Sequence, residues 1–208
     1  MKQNRRKALS CVAALLLALF AFTACGPVTE SDTQSQTAET TSSSSDTTSG
    51  QASQPEQEQE ATLYIGTGQD FTTHSLSYTG TLTPEILIDG IASLTGWNLD
   101  LADAVTTGKD GATVSFAKTS SIFTGPPDPQ KEEFFVHDAD TLVSTILDSV
   151  KKTLQNNLVD VSAGGDPDTF SVYYTTEGDQ PITIDDLNLT IPIDQPYTEL
   201  ADYLSSAA

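Results

Sequence analysis

Apolar and polar positions along the chain fall into three regimes. A mostly apolar run from Ala8 to Phe22 follows a basic head that carries Lys2, Arg5, Arg6 and Lys7. From 26 to 60 apolar residues almost vanish, and Ser, Thr, Gln and Glu take over, as in Thr40-Thr41-Ser42-Ser43-Ser44-Ser45. A stretch of that composition buries too little surface to offset its ordering entropy, which predicts a disordered tether. From Ala61 onward apolar residues recur at every second position or at every third to fourth, the periods of strands and helices.

Thr62-Leu63-Tyr64-Ile65 reads as a strand ending in Gly66-Thr67-Gly68. The alternation in Ser75-Leu76-Ser77-Tyr78 predicts a second strand that pairs with it as a hairpin. A helix follows: Thr83 suits its N-cap, Pro84 its first position, Glu85 its positive end, and Gly96 its stop. Leu87, Ile91 and Leu94, with Ile86 beside them, give it one apolar face. Alternation from Leu99 through Val105, a Gly108-Lys109-Asp110-Gly111 turn and Ala112-Thr113-Val114-Ser115-Phe116 predict a second hairpin.

Residues 119 to 133 break both periods. Pro126, Pro127 and Pro129 predict a stiff, largely extended loop, and Phe123 with those prolines makes it the candidate interaction loop. A long helix is predicted to begin near Asp138, with Asp140 in its first turn, and to finish at Asn156-Asn157. Leu142, Val143, Ile146, Leu147, Val150 and Leu154 share one face of it. Asp148 and Lys152 read as an i, i+4 pair worth a few tenths of a kcal/mol. Residues 169–175 then predict a strand, 177–180 a turn, 182–184 the returning strand, 187–191 one more strand, and about 198 to 205 a short helix. The order β, β, α, β, β, α, β, β points to an α+β fold, an antiparallel or mixed sheet of hairpins with two main helices packed on one face.

The basic head, the apolar run and the small residues before a cysteine are the parts of an export signal. Phe22-Thr23-Ala24-Cys25 resembles a bacterial lipobox, which implies cleavage between Ala24 and Cys25 and a diacylglyceryl group on the Cys25 thiol. Two acyl chains hold a protein stably in a bilayer where one holds it marginally. The expected organisation is a signal peptide over 1–24, lipidated Cys25 with a tether over 25–60, and a domain over 61–208 with a C-terminal extension from about 185. An uncut transmembrane helix would need about 20 apolar residues, which 8–24 barely reaches. An ordinary cleaved signal would leave Cys25 as an odd free thiol.

Cleavage removes four of the nine Lys plus Arg and leaves five against 29 Asp plus Glu, a net charge of −24. That sign repels phosphate backbones and anionic headgroups, so nucleic acid is excluded as a partner and the lipid on Cys25 is the expected membrane link. The expected location is the extracytoplasmic face of the bacterial cell membrane. Cys11 leaves with the signal, so no disulfide is expected.

Thr62-Leu63-Tyr64-Ile65, Thr83-Pro84-Glu85-Ile86-Leu87-Ile88-Asp89-Gly90, Asp110-Gly111-Ala112-Thr113-Val114-Ser115-Phe116, the helix from Leu142 to Leu154, and Phe170-Ser171-Val172-Tyr173 before Gly178-Asp179-Gln180-Pro181 occur in this order. In that arrangement the chain resembles the GerM domain of sporulation and germination lipoproteins. The resemblance implies a non-enzymatic scaffold similar to domains that build rings between membranes. It supplies no catalytic residues. The single copy, the proline-rich insertion after Ser121 and the tail after Asp185 depart from the family's pattern.

Candidate chemistry is sparse. His74 and His137 show no metal-ligand spacing, and there is no G-x-S-x-G elbow and no P-loop. Asp100, Asp103, Glu132, Glu133, Asp138, Asp140, Asp166 and Asp168 fall in predicted turns or helix starts, where solvated acids are expected rather than a paired-acid site. Asp138-Ala139-Asp140 and Asp166-Pro167-Asp168 offer oxygen ligands but not the spacing of a calcium loop. No metal and no cofactor is expected. Tyr64, Tyr78, Trp97, Tyr173 and Tyr174 divide between core and surface by strand alternation.

The expected function is therefore a lipid-anchored, non-enzymatic interaction module of the cell envelope, related to sporulation or germination through the GerM resemblance. It would contact a protein partner or copies of itself along a sheet edge or through the 119–133 loop. The alternative is a lipoprotein that binds cell-wall glycan or solute, and the third option is a wall-acting hydrolase. An open strand edge with little charge favours the first, a concave aromatic cleft the second, and a buried carboxylate pair the third.

Overall fold

The computed structural model describes residues 57–204. The expected export signal, the expected cleavage and lipidation site at Ala24 and Cys25, and the expected tether up to 56 lie outside the described residues. Strands β1 (Glu58–Thr67) and β2 (Asp70–Thr79) form an antiparallel ladder of ten residue pairs from Glu58↔Thr79 to Thr67↔Asp70. The turn between them is two residues long, and Gly68 at φ +60° supplies the left-handed first position that such a turn requires. β1 begins three residues before the expected domain boundary at Ala61. Glu58, Gln59 and Glu60 are exposed, so composition assigned them to the tether, but a ladder satisfies backbone groups whatever the side chains do.

Helix α1 (Pro84–Thr95) has the ends that local chemistry predicts. The Thr83 hydroxyl accepts from the Ile86 amide, and Gly96 closes the helix at φ +83° with its amide donating to the Ala92 carbonyl. Leu87, Ile88 and Ile91 are buried, and Gly90 lets the helix approach Leu63 and Leu76 on the inner face of the first hairpin. Glu85 does more than complement the helix end, since its Oε1 accepts from the Val105 amide at 2.8 Å and ties α1 to the chain that enters the next hairpin.

That hairpin pairs β3 (Thr106–Gly108) with β4 (Gly111–Phe116), and β4 then pairs in parallel with β5 (Ser171–Thr176). Between β4 and β5 lie α2 (Ser121–Thr124) and the long α3 (Ala139–Leu158). The segment 182–184, expected to return along the strand before it, forms no ladder with β5; the chain pairs back on β5 only at a single Thr176↔Gln180 bridge that precedes it. As β6 (Ile182–Ile184) it pairs instead with β7 (Leu189–Ile191). The last described element is α4 (Leu200–Leu204). The fold is α+β, with α1 and α3 as its main helices and strands in both antiparallel and parallel pairs.

Residues 119–133 are not the extended loop that three prolines suggested. α2 occupies part of it, Ile122 is buried, and a 3₁₀ turn over Glu132–Phe134 sends Phe134 into the core. Apolar anchors at both ends fold the proline stretch back on the domain. Leu142, Val143, Ile146, Leu147, Val150 and Leu154 of α3 are all buried in the same core.

Candidate functional site

α3 presents two polar stripes as well as its apolar one, and each organises a surface. The first consists of Ser149, Thr153 and Asn157, four residues apart. The Ser149 hydroxyl accepts from the Gly66 amide at 3.1 Å and donates to the Gly66 carbonyl at 3.3 Å. Thr153 does the same for Tyr64, at 3.0 and 3.4 Å. The Asn157 side-chain amide does it for Thr62, at 3.2 and 2.7 Å. Four helical residues rise about 6 Å and two strand residues about 6.7 Å, so the two repeats keep step over three contacts. A helix thus takes the place of a third strand beside β1.

The same contacts define the opposite edge. Because Thr62, Tyr64 and Gly66 point their backbone groups at α3, their ladder partners Ser75, Thr73 and Phe71 point theirs away from β1. Among the described residues no backbone hydrogen bond reaches those outward groups. The open edge of β2 is ten residues long and carries a single carboxylate, Asp70, with no lysine and no proline.

The second stripe of α3 is Asp148, Lys151, Lys152 and Gln155, at i, i+3, i+4 and i+7. Helical spacing predicts Asp148 as a partner for Lys152. Instead it is 7 % exposed and accepts from Thr67 Oγ1, from the Gly68 amide at 3.1 Å and from the Tyr197 hydroxyl at 2.9 Å. It therefore joins the first turn, α3 and the C-terminal segment. Lys151 Nζ donates to the Thr198 carbonyl at 2.8 Å and lies 5.6 Å from the Tyr197 ring centroid. Burial lowers its ammonium below the ordinary lysine value, against the raising pull of Asp148, Glu199 and Asp168. Beside Asp148, Tyr197 meets Tyr174 edge to face and stacks on Tyr203. Burial first, and then the charge of Asp148, push the Tyr174 and Tyr197 phenols well above the ordinary tyrosine value.

Between this stripe and the outer face of the first hairpin runs a groove of about 560 Å³. Tyr64 and Phe71 line it from the strands, and Asp168, Thr198 and Glu199 from the loops that follow α3 and β7.

The other expected site residues scatter. Phe123 is half-buried against the core with Lys118 Nζ 4.2 Å from its ring centroid, so it is not a free contact. Pro126 and Pro129 are exposed and Pro127 is half-buried. Asp100 accepts from Asn98 and Thr119 side chains, Asp166 accepts from the Asp168 amide, and Glu132 and Glu133 open a 3₁₀ turn. Asp103, Asp138 and Asp140 are exposed, Asp138 and Asp140 at the start of α3. His74 contacts Thr72 and the Phe134 ring, and His137 the ring of exposed Phe135. Among the described residues no three His, Cys, Asp or Glu side chains gather as a metal site, and no helix is long and apolar enough to cross a membrane. Comparison with protein families, with curated proteins and with solved structures finds no match to the chain.

Proposed function

We propose that the chain is a lipid-anchored, non-enzymatic interaction module on the extracytoplasmic face of the bacterial cell membrane. In this reading acylated Cys25 holds it to the bilayer, and a protein partner adds a strand at the open edge of β2. The observation that carries the reading is the asymmetry of the first hairpin, whose β1 edge is filled by α3 while its β2 edge takes no backbone hydrogen bond from the other described residues. Edges that must stay solitary are guarded by lysine, proline or a bulge, and this one has none of them over ten unbroken ladder pairs. Such an edge offers an incoming strand main-chain hydrogen bonds, with side chains on both faces to set specificity. The buried acid, Asp148, is already committed to three donors, which speaks against its acting as one of a catalytic acid pair. The resemblance to the GerM domain supports an envelope scaffold, and the sporulation or germination link rests on that resemblance alone.

The test is a photo-crosslinking residue in place of Ser77 in the full chain, in its own membrane, with and without Ser75→Pro. The Ser75 amide points away from β1, so proline there removes a free donor and leaves the ladder intact. A crosslinked adduct whose yield falls about tenfold with Ser75→Pro, at unchanged melting temperature, is the expected result. An adduct that survives the proline, or none with either chain, sinks the edge contact. In parallel, Cys25→Ser should move the intact domain to the soluble fraction, and a cleaved chain that stays in the membrane would refute the lipid as its anchor.

A further inference from the structure

The groove beside α3 is a second surface, on the outer face of the first hairpin, and it shares Phe71 and Thr73 with the open edge of β2; its chemistry narrows what can occupy it. Tyr64 and Phe71 stand on one face of the hairpin. Phe71 lies opposite Gly66, which has no side chain to cover its ring, and Tyr64 lies opposite exposed Thr73. Both rings are half-buried, so each offers a flat apolar surface that water already reaches. Around them the rim is polar and of both signs. Lys152 presents a donor with no hydrogen-bond partner among the described residues, and Asp168 and Glu199 present carboxylate acceptors.

Charge excludes the commonest alternatives. Lys151 and Lys152 face Asp148, Asp168 and Glu199, two cations against three anions, so the groove has no positive excess for a phosphate or a polyanion. The two ammonium groups equally disfavour a metal cation. A purely apolar ligand would desolvate those charges without replacing their water. What fits is an uncharged ligand with apolar faces to lie on rings and hydroxyls to meet donors and acceptors together. We propose that this groove binds a saccharide chain, with Tyr64 and Phe71 as its stacking surface and Lys152, Asp168 and Glu199 as its hydrogen-bonding rim. Its volume of about 560 Å³ lies within the range of built small-molecule sites.

The probe is a soluble β-1,4-linked N-acetylglucosamine oligomer titrated into the full chain in detergent, with purified cell-wall sacculi in a parallel sedimentation assay. Saturable binding of the oligomer, insensitive to salt, is expected, and Phe71→Ala should weaken it about tenfold. Because Phe71 is half-buried, Thr73→Arg is the companion variant: Thr73 is exposed, so its arginine fills the groove without disturbing the core and should abolish binding. Binding of the oligomer together with sacculi identifies wall glycan as the source, and binding of the oligomer alone identifies a soluble saccharide. Failure to bind either, binding that collapses with salt, or binding unchanged by Thr73→Arg overturns the proposal.

Discussion

Removing the Asp148 carboxylate takes the acceptor from three donors at once. Thr67 and Gly68 both donate to Oδ2 and Tyr197 to Oδ1, so Asp148→Ala leaves the buried Tyr197 hydroxyl unpaired in the core, while exposed Thr67 and Gly68 lose a charged acceptor that water replaces. The expected cost is about 3 kcal/mol. Asp148→Asn keeps one acceptor but turns an amide N–H₂ toward donors, so its urea midpoint should fall between those of the wild type and of Asp148→Ala. An unchanged midpoint for Asp148→Ala would mean that the three bonds contribute nothing. At this scale the sequence was legible where partners are local. Thr83 and Gly96 each act on a partner within four residues, Ile86 and Ala92, and with Pro84 they announce both ends of α1. Asp148 is not legible in this way, because its neighbour in the helix is Lys152 whereas its partners are about 50 and 80 residues away. The spacing of Asp148, Lys151, Lys152 and Gln155 was the one available signal that this face of the helix had a common purpose.

At the scale of elements, the pairing of α3 with β1 is the least expected feature and the easiest to isolate. Thr153→Val keeps shape and removes the hydroxyl that serves both backbone groups of Tyr64. The Tyr64 amide should then exchange with solvent markedly faster, while the Leu63 and Ile65 amides, which face β2, keep their protection. The stability loss expected is about 1 to 2 kcal/mol. Equal protection of Tyr64 in both proteins would show that the helix merely lies near the strand. Periodicity revealed that α3 has an apolar face, and the fold bears that out. It could not reveal that Ser149, Thr153 and Asn157 meet a strand edge, because that depends on which strand passes, 83 to 95 residues earlier in the chain. The parallel pairing of β4 with β5 was hidden for the same reason. Hairpin signals are written in the turn, whereas a parallel pair has no turn to read.

For the whole molecule, the C-terminal segment is what closes the domain, and its attachment should make stability fall in base. Tyr197 binds Asp148, its amide donates to the Val172 carbonyl at 2.7 Å, and the Tyr174 hydroxyl donates to the Leu147 carbonyl at 2.6 Å. Folding raises both phenols above the ordinary value of 10.0, so the native state keeps protons that the unfolded chain releases. Stability from these groups is fully present below pH 10 and is lost above it, by about 1.4 kcal/mol per tyrosine per pH unit. Lys151 opposes this weakly, since its lowered value lets stability rise with pH until the unfolded lysine also loses its proton at 10.5. A base titration should therefore show two of the six tyrosines absorbing as phenolate only as the domain unfolds. Tyr197→Phe should reduce the steepness of the loss by about half, although it starts from a lower stability because Asp148 loses a donor. If all six phenols ionised in one reversible step near pH 10 with the fold intact, the tyrosine cluster would be open to water, and the C-terminal segment would not be the closure described.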